Sequence, residues 1–238
     1  MSISEWVDRL HDRRGRRVIF FAHCLLNENT RYLGGAGRPA IVREVVEFCL
    51  QHDVAIVQLP CPEQWAWGGV LKRRLVRFYG AEGSWQFRVA RFLLPLMTWW
   101  TRRVYRGLAQ QTATQISDYV TNEMAVVAVV GVDGSPSCGV RRRLDVKTAF
   151  DSLGRLRSAT ATPEDVNDIV RSTQTDGPGL YVAALCTELE RRRLRIPIVA
   201  HDLLAELEEK PLHLGDTLQA ALDRLQMRDA ERPAQRDR

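Results

Sequence analysis

Three of the five cysteines stand where a folded chain could use them for chemistry. Cys24, Cys61 and Cys138 each lie in a loop that follows an apolar, β-type run and contains proline or glycine. The carboxyl ends of parallel strands meet at one edge of a sheet, where open α/β proteins bind their ligands. Thiolates are soft metal ligands. The pattern therefore predicts that these three side chains share one metal site.

The residues alone leave two kinds of metal open. Zinc would need a fourth ligand, and His23 and His201, which also follow strand-like runs, are candidates. An iron–sulfur cluster suits a set made only of thiolates, and three cysteines would leave one iron of a cubane open to substrate as a Lewis acid. Cys49 and Cys186 fall on apolar faces of predicted helices, and we expect both to be packing residues.

Alternating strands and helices predict the sheet that would bring the cysteines together. The sequence predicts strands over 17–22, 54–59, 124–130 and 196–200, and helices over 39–52 and 180–193. Strands that alternate with helices form βαβ units with right-handed crossovers. We therefore expect an α/β fold with a Rossmann-like, doubly wound and mostly parallel sheet.

The sequence patterns divide the chain into three parts. Residues 1–16 are predicted as an N-terminal helix or arm, and residues 17–205 as the α/β domain. Residues 206–238 are predicted as a C-terminal helix and a tail, which is charged and disordered from Met227 onward. A helical insertion over about 71–123 separates the second and third strands.

Aromatic residues and arginines alternate over residues 85–106 of this insertion, which we predict to be helical with an interruption at Pro95. Such a segment could lie on a membrane surface or stack on nucleic-acid bases. We expect instead an amphipathic helical layer that packs on the sheet. The longest apolar run, 92–100, is too short to span a bilayer, so no transmembrane segment is predicted.

The chain of 238 residues has a formal net charge of +5 and a pI near 9.2, which would allow nucleic acid as a partner. Its arginine clusters are spread along the chain without a nucleic-acid-binding signature, so we interpret them as solvated faces. Arg141 to Arg143 are the exception, because they closely follow Cys138 and could hold an anionic ligand. An odd number of cysteines without a secretory signal indicates a reducing compartment, and we predict a cytoplasmic protein of open oligomeric state.

Three sequence blocks resemble those of the thiouracil desulfurase family, in the same order and each after a predicted strand. The blocks are Cys24-Leu25-Leu26 with Arg31-Tyr32-Leu33-Gly34, Cys61-Pro62-Glu63 with Gly68-Gly69, and Ser135-Pro136-Ser137-Cys138-Gly139. The resemblance covers about residues 17–202. The chain departs from the family's blocks at Asn27, at Leu33 and over 70–74, which indicates a divergent branch of the family. These departures affect the identity of the substrate more than the ligands of the cluster.

The resemblance implies a [4Fe–4S] cluster held by the three cysteines, with the fourth iron left to bind the sulfur of a small thiolated substrate. Water would replace sulfur at carbon without net redox change, as in desulfuration of a thiouracil-like compound or another thioamide. It also implies that Glu63 shuttles protons and that Ser135 and Ser137 contact substrate or cluster sulfides. In purely structural roles, Glu63 would cap the following helix and the two serines would form a turn.

Two other functions are compatible with the same residues. A non-catalytic iron–sulfur or zinc protein could bind RNA or a protein partner through residues 85–106. Alternatively, the open iron could carry sulfide toward an acceptor in biosynthesis. The metal and sulfide content of protein purified without oxygen would separate a cluster from zinc.

Overall fold

Four parallel strands form the sheet at the centre of the molecule. The computed structural model describes residues 3–68, 70, 84–156 and 160–230. The parallel strands are β1 (Arg17–Phe21), β2 (Ala55–Gln58), β3 (Ala125–Asp133) and β6 (Ile198–Asp202). They lie in the order β2-β1-β3-β6, which confirms the α/β, Rossmann-like sheet predicted from the sequence.

The strand order reverses between β1 and β3. The chain leaves β1 toward one side of the sheet to form β2, and then returns to form β3 on the other side of β1. Such a reversal is a topological switch point, and parallel α/β sheets bind ligands in the crevice at the carboxyl ends of the strands there. The residues that follow β1 and β3 therefore flank the expected ligand crevice.

Helices cover the sheet, and a second, smaller sheet lies beside it. The described helices are α1 (Ile3–Arg9), α2 (Arg43–Gln51), α3 (Pro62–Trp67), α4 (Trp85–Thr121), α5 (Val146–Leu153), α6 (Pro163–Ser172), α7 (Leu180–Arg191), α8 (Leu203–Leu207) and α9 (Leu214–Ala230). The smaller sheet pairs β4 (Arg142–Leu144) with β5 (Gln174–Asp176) in antiparallel fashion. The sequence did not predict it, because both strands are three residues long and mostly polar.

Gly131 continues β3 instead of ending it, so this strand is longer than predicted. The last three residues of β3 pair with the last three of β6. A β-carbon on Gly131 would lie 2.3 Å from the Cys138 carbonyl oxygen. Glycine is therefore needed here for the close approach of the returning loop and not for a turn. The predicted strand ends at Val130 and Ala200 were both too early.

Helix α4 runs without a break from Trp85 to Thr121, so the predicted interruption at Pro95 was wrong. A proline inside a helix removes one backbone hydrogen bond and crowds the preceding turn, at a cost of about 3 kcal/mol. Burial of Tyr105 and Ile116 against the protein core, together with packing on α7, offsets this cost. Among the described helices, none combines the length and hydropathy needed to cross a membrane.

Helix α9 continues to Ala230, so the disorder predicted from Met227 onward was wrong for the first residues of the tail. Buried positions of α9 belong to the same core as the strands of the main sheet. Residues 231–238 of the predicted tail lie outside the described residues. The same holds for residues 71–83 of the predicted insertion and for Gly69 of the second sequence block.

Candidate functional site

Cys24, Cys61 and Cys138 line one cavity with a volume of about 280 Å³. The cavity lies at the carboxyl ends of β1, β2 and β3, which each precede one of these cysteines. Cys138 is buried, whereas Cys24 and Cys61 are partly exposed. The structure thus brings together the three cysteines that the sequence singles out, at the switch point of the sheet.

Short helical segments position the first two cysteines. Cys24 lies in a 3₁₀ turn, His23–Leu25, directly after β1. Cys61 immediately precedes α3, whose first residue is Pro62. Proline suits this position, because its φ angle is already helical and the first turn has no partner for an amide hydrogen. Both cysteines are thereby fixed at the start of a helical segment rather than in a long loop.

The buried Asp133 carboxylate fixes the cysteine loop, residues 134–140, which follows β3. Its Oδ1 accepts hydrogen bonds from the amides of Val140 and Arg141 at 3.0 and 2.9 Å. Its Oδ2 accepts one from Arg141 Nε at 2.9 Å. From the other side, two amides in the first turn of α7 donate to the Ser137 carbonyl at 3.2 Å. The loop is therefore held at its C-terminal end and at its centre, which restricts the position of its cysteine.

Glu63, Ser135 and Ser137 form a hydrogen-bonded cluster beside Cys138. The Oγ atoms of Ser135 and Ser137 donate to Glu63 Oε1 at 3.1 and 2.9 Å. Ser137 Oγ also lies 3.5 Å from Cys138 Sγ. The Cys138 amide donates to Ser135 Oγ at 3.1 Å, so this serine has the turn-forming role as well. The cluster places a buried carboxylate, which can accept and return a proton, one hydroxyl away from a thiol.

The charges around Cys138 indicate what the cavity can bind. Burial raises the pKa of the Cys138 thiol well above its usual value, and negative charge on Cys24, Cys61 and Glu63 raises it further. Three thiolates are therefore disfavoured here unless positive charge lies between them. Metal ions provide such charge and deprotonate the thiols that bind them. Three sulfurs around one cavity thus fit a group that contains soft metal ions.

Within residues 3–68, 70, 84–156 and 160–230, no three histidine, cysteine, aspartate or glutamate side chains form a group that could hold a metal ion. His23 does line the cavity, and burial lowers its pKa.

His201, the other candidate zinc ligand, belongs to a buried charge network beside the cavity. Its Nε2 is hydrogen bonded to the Glu206 carboxylate. Arg31, which lines the cavity, donates two hydrogen bonds to Glu206 at 2.8 and 3.1 Å and lies 3.2 Å from Glu28. Burial opposes ionisation of Glu206, but the hydrogen bonds from His201 and Arg31 lower its pKa to about 2. We interpret this network as the support for one cavity wall.

Tyr105 of α4 lies near the same cluster, and the sequence did not predict a role for it. Its side chain is buried, and its hydroxyl has no hydrogen-bond partner in the described part of the chain. Burial, followed by negative charge on Glu63 and Cys138, raises the pKa of Tyr105 well above its usual range, while the nearby Ser137 opposes this. A tyrosine on the buried face of a long helix gives no sequence signal that distinguishes it from a core residue.

The arginines after the cysteine loop do not face the cavity. Arg141 Nε donates to Asp133 at 2.9 Å, and Arg142 Nη2 donates to Asp202 at 2.8 Å. Arg143 Nη1 donates to a backbone carbonyl, and none of these three arginines lines the cavity. In this structure they hold the loop and the edge of the sheet, and their role as holders of an anionic ligand stays a prediction.

The two remaining cysteines pack in the core, as predicted. Cys49 is buried in α2, and burial raises its pKa to about 11. Cys186 of α7 is partly buried and packs against the same core. Neither lines the cavity, so both serve as internal controls for the other three cysteines.

Most of the remaining cavity wall is apolar. It includes Leu33, Trp67, Leu144, Val146, Phe150, Leu153, Val166 and Ile169. Walls of this kind suit a small ligand with apolar surface and exclude water from polar groups at one end. The cavity therefore combines sulfur and carboxylate groups on one side with apolar surface on the other.

The fold and the cavity define an open parallel α/β protein with a cysteine-lined crevice at its switch point. No protein-family model matches the chain, and no solved structure matches it. An uncharacterized protein of the archaeon Methanocaldococcus jannaschii is 38% identical over 50 residues, which is 21% of this chain and 32% of that protein. The chain therefore matches only about a third of the length of this relative, whose name states no activity.

Proposed function

We propose that the protein is a desulfurase, which uses a [4Fe–4S] cluster to replace the sulfur of a small thiolated compound by oxygen without net redox change. The observation that supports this most strongly is one cavity lined both by Cys24, Cys61 and Cys138 and by a carboxylate bound to two serines. Three sulfur ligands fit a cubane cluster, and the carboxylate fits proton transfer.

A cluster bound in this way would supply an iron without a protein ligand, a Lewis acid for the substrate sulfur. The overall reaction converts a thiocarbonyl and water into a carbonyl and hydrogen sulfide, so no oxidant or reductant is required. Glu63 would take a proton from the attacking water and return it to the departing sulfur. Ser135 and Ser137 orient Glu63 through its Oε1 atom. The apolar wall would hold a flat, uncharged substrate against these groups.

Protein purified without oxygen should test the cluster directly. We expect brown protein with about four irons and four sulfides per chain, as for one cubane. Replacing Cys24, Cys61 or Cys138 by serine should remove most of this iron, because each would lose one of three ligands. The matched controls Cys49→Ser and Cys186→Ser should retain it, since neither side chain lines the cavity.

Activity is then measured as sulfide release from thiolated pyrimidines and related thioamides under anaerobic conditions. Cluster-loaded wild-type protein should release sulfide, and the three ligand variants should not. Stoichiometric zinc with little iron would overturn the cluster proposal. A full cluster without sulfide release from any thiolated compound would overturn desulfuration and favour a sulfur carrier or a non-catalytic protein.

A further inference from the structure

The first turns of α4 expose a continuous apolar stripe. Six side chains share it, each between 42% and 84% exposed: Trp85, Val89, Phe92, Leu96, Trp99 and Trp100. Their spacing of three and four residues puts them on one face of the helix. The opposite face, with Phe87, Ala90 and Thr101, is buried against the protein. The sequence-based expectation that this segment simply packs on the sheet therefore holds for only one of its faces.

Arginines accompany this stripe, and acidic residues do not. Arg88, Arg91, Arg102 and Arg106 follow along one edge at helical spacing, and Arg103 lies at its C-terminal end. All five are exposed. The helix has no aspartate or glutamate before Asp118. Large exposed apolar stripes are uncommon on monomeric proteins and mark interaction or membrane sites.

We propose that this surface, the α4 stripe, docks the protein on a membrane rich in anionic lipid, with α4 lying in the plane of the interface. Tryptophan and phenylalanine insert at the level of the headgroups, where an amphipathic ring has one apolar and one wet side. Arginines along the edge of the stripe then contact lipid phosphates, which complement their charge. The α4 stripe is independent of the cysteine-lined cavity, so this inference does not depend on the proposed desulfurase activity.

Charge and composition favour lipid over other occupants. Two copies of the α4 stripe would bring arginines together without an acidic residue to neutralise them before Asp118. Single-stranded RNA is bound by aromatic rings that stack on bases, but Val89 and Leu96 interrupt the aromatic residues and cannot stack. A continuous apolar stripe with cations on one edge is instead the pattern of helices that lie in a membrane interface.

Sedimentation of the full-length protein with vesicles tests this proposal. Vesicles of phosphatidylcholine alone are compared with vesicles that also contain phosphatidylglycerol. We expect clear binding to the anionic vesicles and much weaker binding to the neutral ones. The double variant Trp99→Ser/Trp100→Ser should bind at least about tenfold more weakly, because two anchors are lost. Arg102→Gln/Arg103→Gln should bind about twenty-five-fold more weakly, because each lost arginine weakens binding about fivefold.

Matched variants elsewhere on the surface control for general effects. Leu50→Ser removes an exposed apolar side chain on α2, and Arg43→Gln/Arg195→Gln removes two exposed arginines outside α4. Both should bind vesicles like the wild type, and circular dichroism should show that every variant is folded. Equal loss in these controls would overturn the proposal, because binding would then reflect net charge or hydrophobicity alone.

Two other results would also overturn it. Absence of binding to anionic vesicles, together with salt-sensitive binding of single-stranded RNA that is lost in Trp99→Ser/Trp100→Ser, would identify the α4 stripe as a base-stacking surface. A dimer in sedimentation velocity that Phe92→Ser dissociates, without vesicle binding, would identify it as an interface between two copies of the chain.

Discussion

Replacement of Glu63 by glutamine tests the proposed proton transfer with little change in shape. Glu63 Oε1 accepts hydrogen bonds from Ser135 and Ser137. A glutamine carbonyl oxygen can accept the same two bonds, so the cysteine loop should keep its conformation. The amide cannot take a proton from water, however. General acid–base catalysis contributes on the order of 10²–10⁴ in rate, so kcat for sulfide release should fall by about that factor.

The structure also sets the expected loss of stability in this variant. Hydrogen bonds to a charged group contribute about 1.5–3 kcal/mol each, and neutral ones about half as much. Glu63→Gln replaces two hydrogen bonds to a charged oxygen by two neutral ones, so the free energy of unfolding should fall by roughly 1.5–3 kcal/mol. A domain of ordinary stability survives this loss. The activity can thus be measured on protein that is folded and loaded with iron.

The assay is anaerobic sulfide release from the best thiolated substrate, with iron content and urea unfolding measured on the same preparations. Glu47→Gln, which changes an exposed glutamate on α2 in the same way, is the matched control and should behave like the wild type. Full activity of Glu63→Gln with an intact cluster would refute the proton-transfer role. Loss of the cluster in this variant would mark Glu63 as a structural residue.

Two further changes test other parts of the site. Tyr105→Phe should change the free energy of unfolding by less than about 1 kcal/mol, because the hydroxyl lies near Ser137 but has no partner at ordinary hydrogen-bond geometry in the described part of the chain. Tyr105 lies near Glu63 and is expected to help position it, so the variant should nevertheless lower kcat by about tenfold or more. An unchanged kcat would mean that Tyr105 is only a packing residue. Glu206→Gln should lose about 3–5 kcal/mol at neutral pH, since it leaves the buried charge of Arg31 partly uncompensated. The native pKa of Glu206 is depressed from 4.5 to about 2, so its contribution is present above pH 4.5 and lost as the pH falls toward 2. Urea unfolding at several pH values should show that the wild type loses stability between pH 4.5 and 2, whereas Glu206→Gln lacks this part of the pH dependence. An equal decrease in the free energy of unfolding of both proteins would contradict this prediction.

The parts of the fold that depend on local sequence could be predicted. Apolar runs predicted the four parallel strands of the described residues, and the loops after three of them pointed to the cysteines. The ends of β3 and β6 could not be predicted, because the cysteine loop returns over Gly131 and extends the strand pairing. Continuity of α4 across Pro95 likewise depends on packing in the folded core, which a local pattern does not contain.

The parts of the site that depend on distant pairs were missed. Arg31 and Glu206 are 175 residues apart in sequence and meet only in the folded protein. His201 was considered a metal ligand because it follows a strand, yet its Nε2 belongs to this charge network. Tyr105 lies near Glu63 on the buried face of another element. Each of these residues is polar but buried, and its partner, rather than its own position in the sequence, decides its role.

The placement of β1 between β2 and β3 has a consequence for the newly made chain. Arg17 of β1 pairs with Ala125 of β3, so one edge of β1 has no partner until the ribosome has added roughly a hundred residues. At a synthesis rate of about 5–20 residues per second, this interval is roughly 5–20 s. During that time the apolar strand offers unpaired amides and carbonyls to other chains. Nascent chains therefore pass through a period of aggregation risk that ends when β3 docks, and the cavity is complete only after that step.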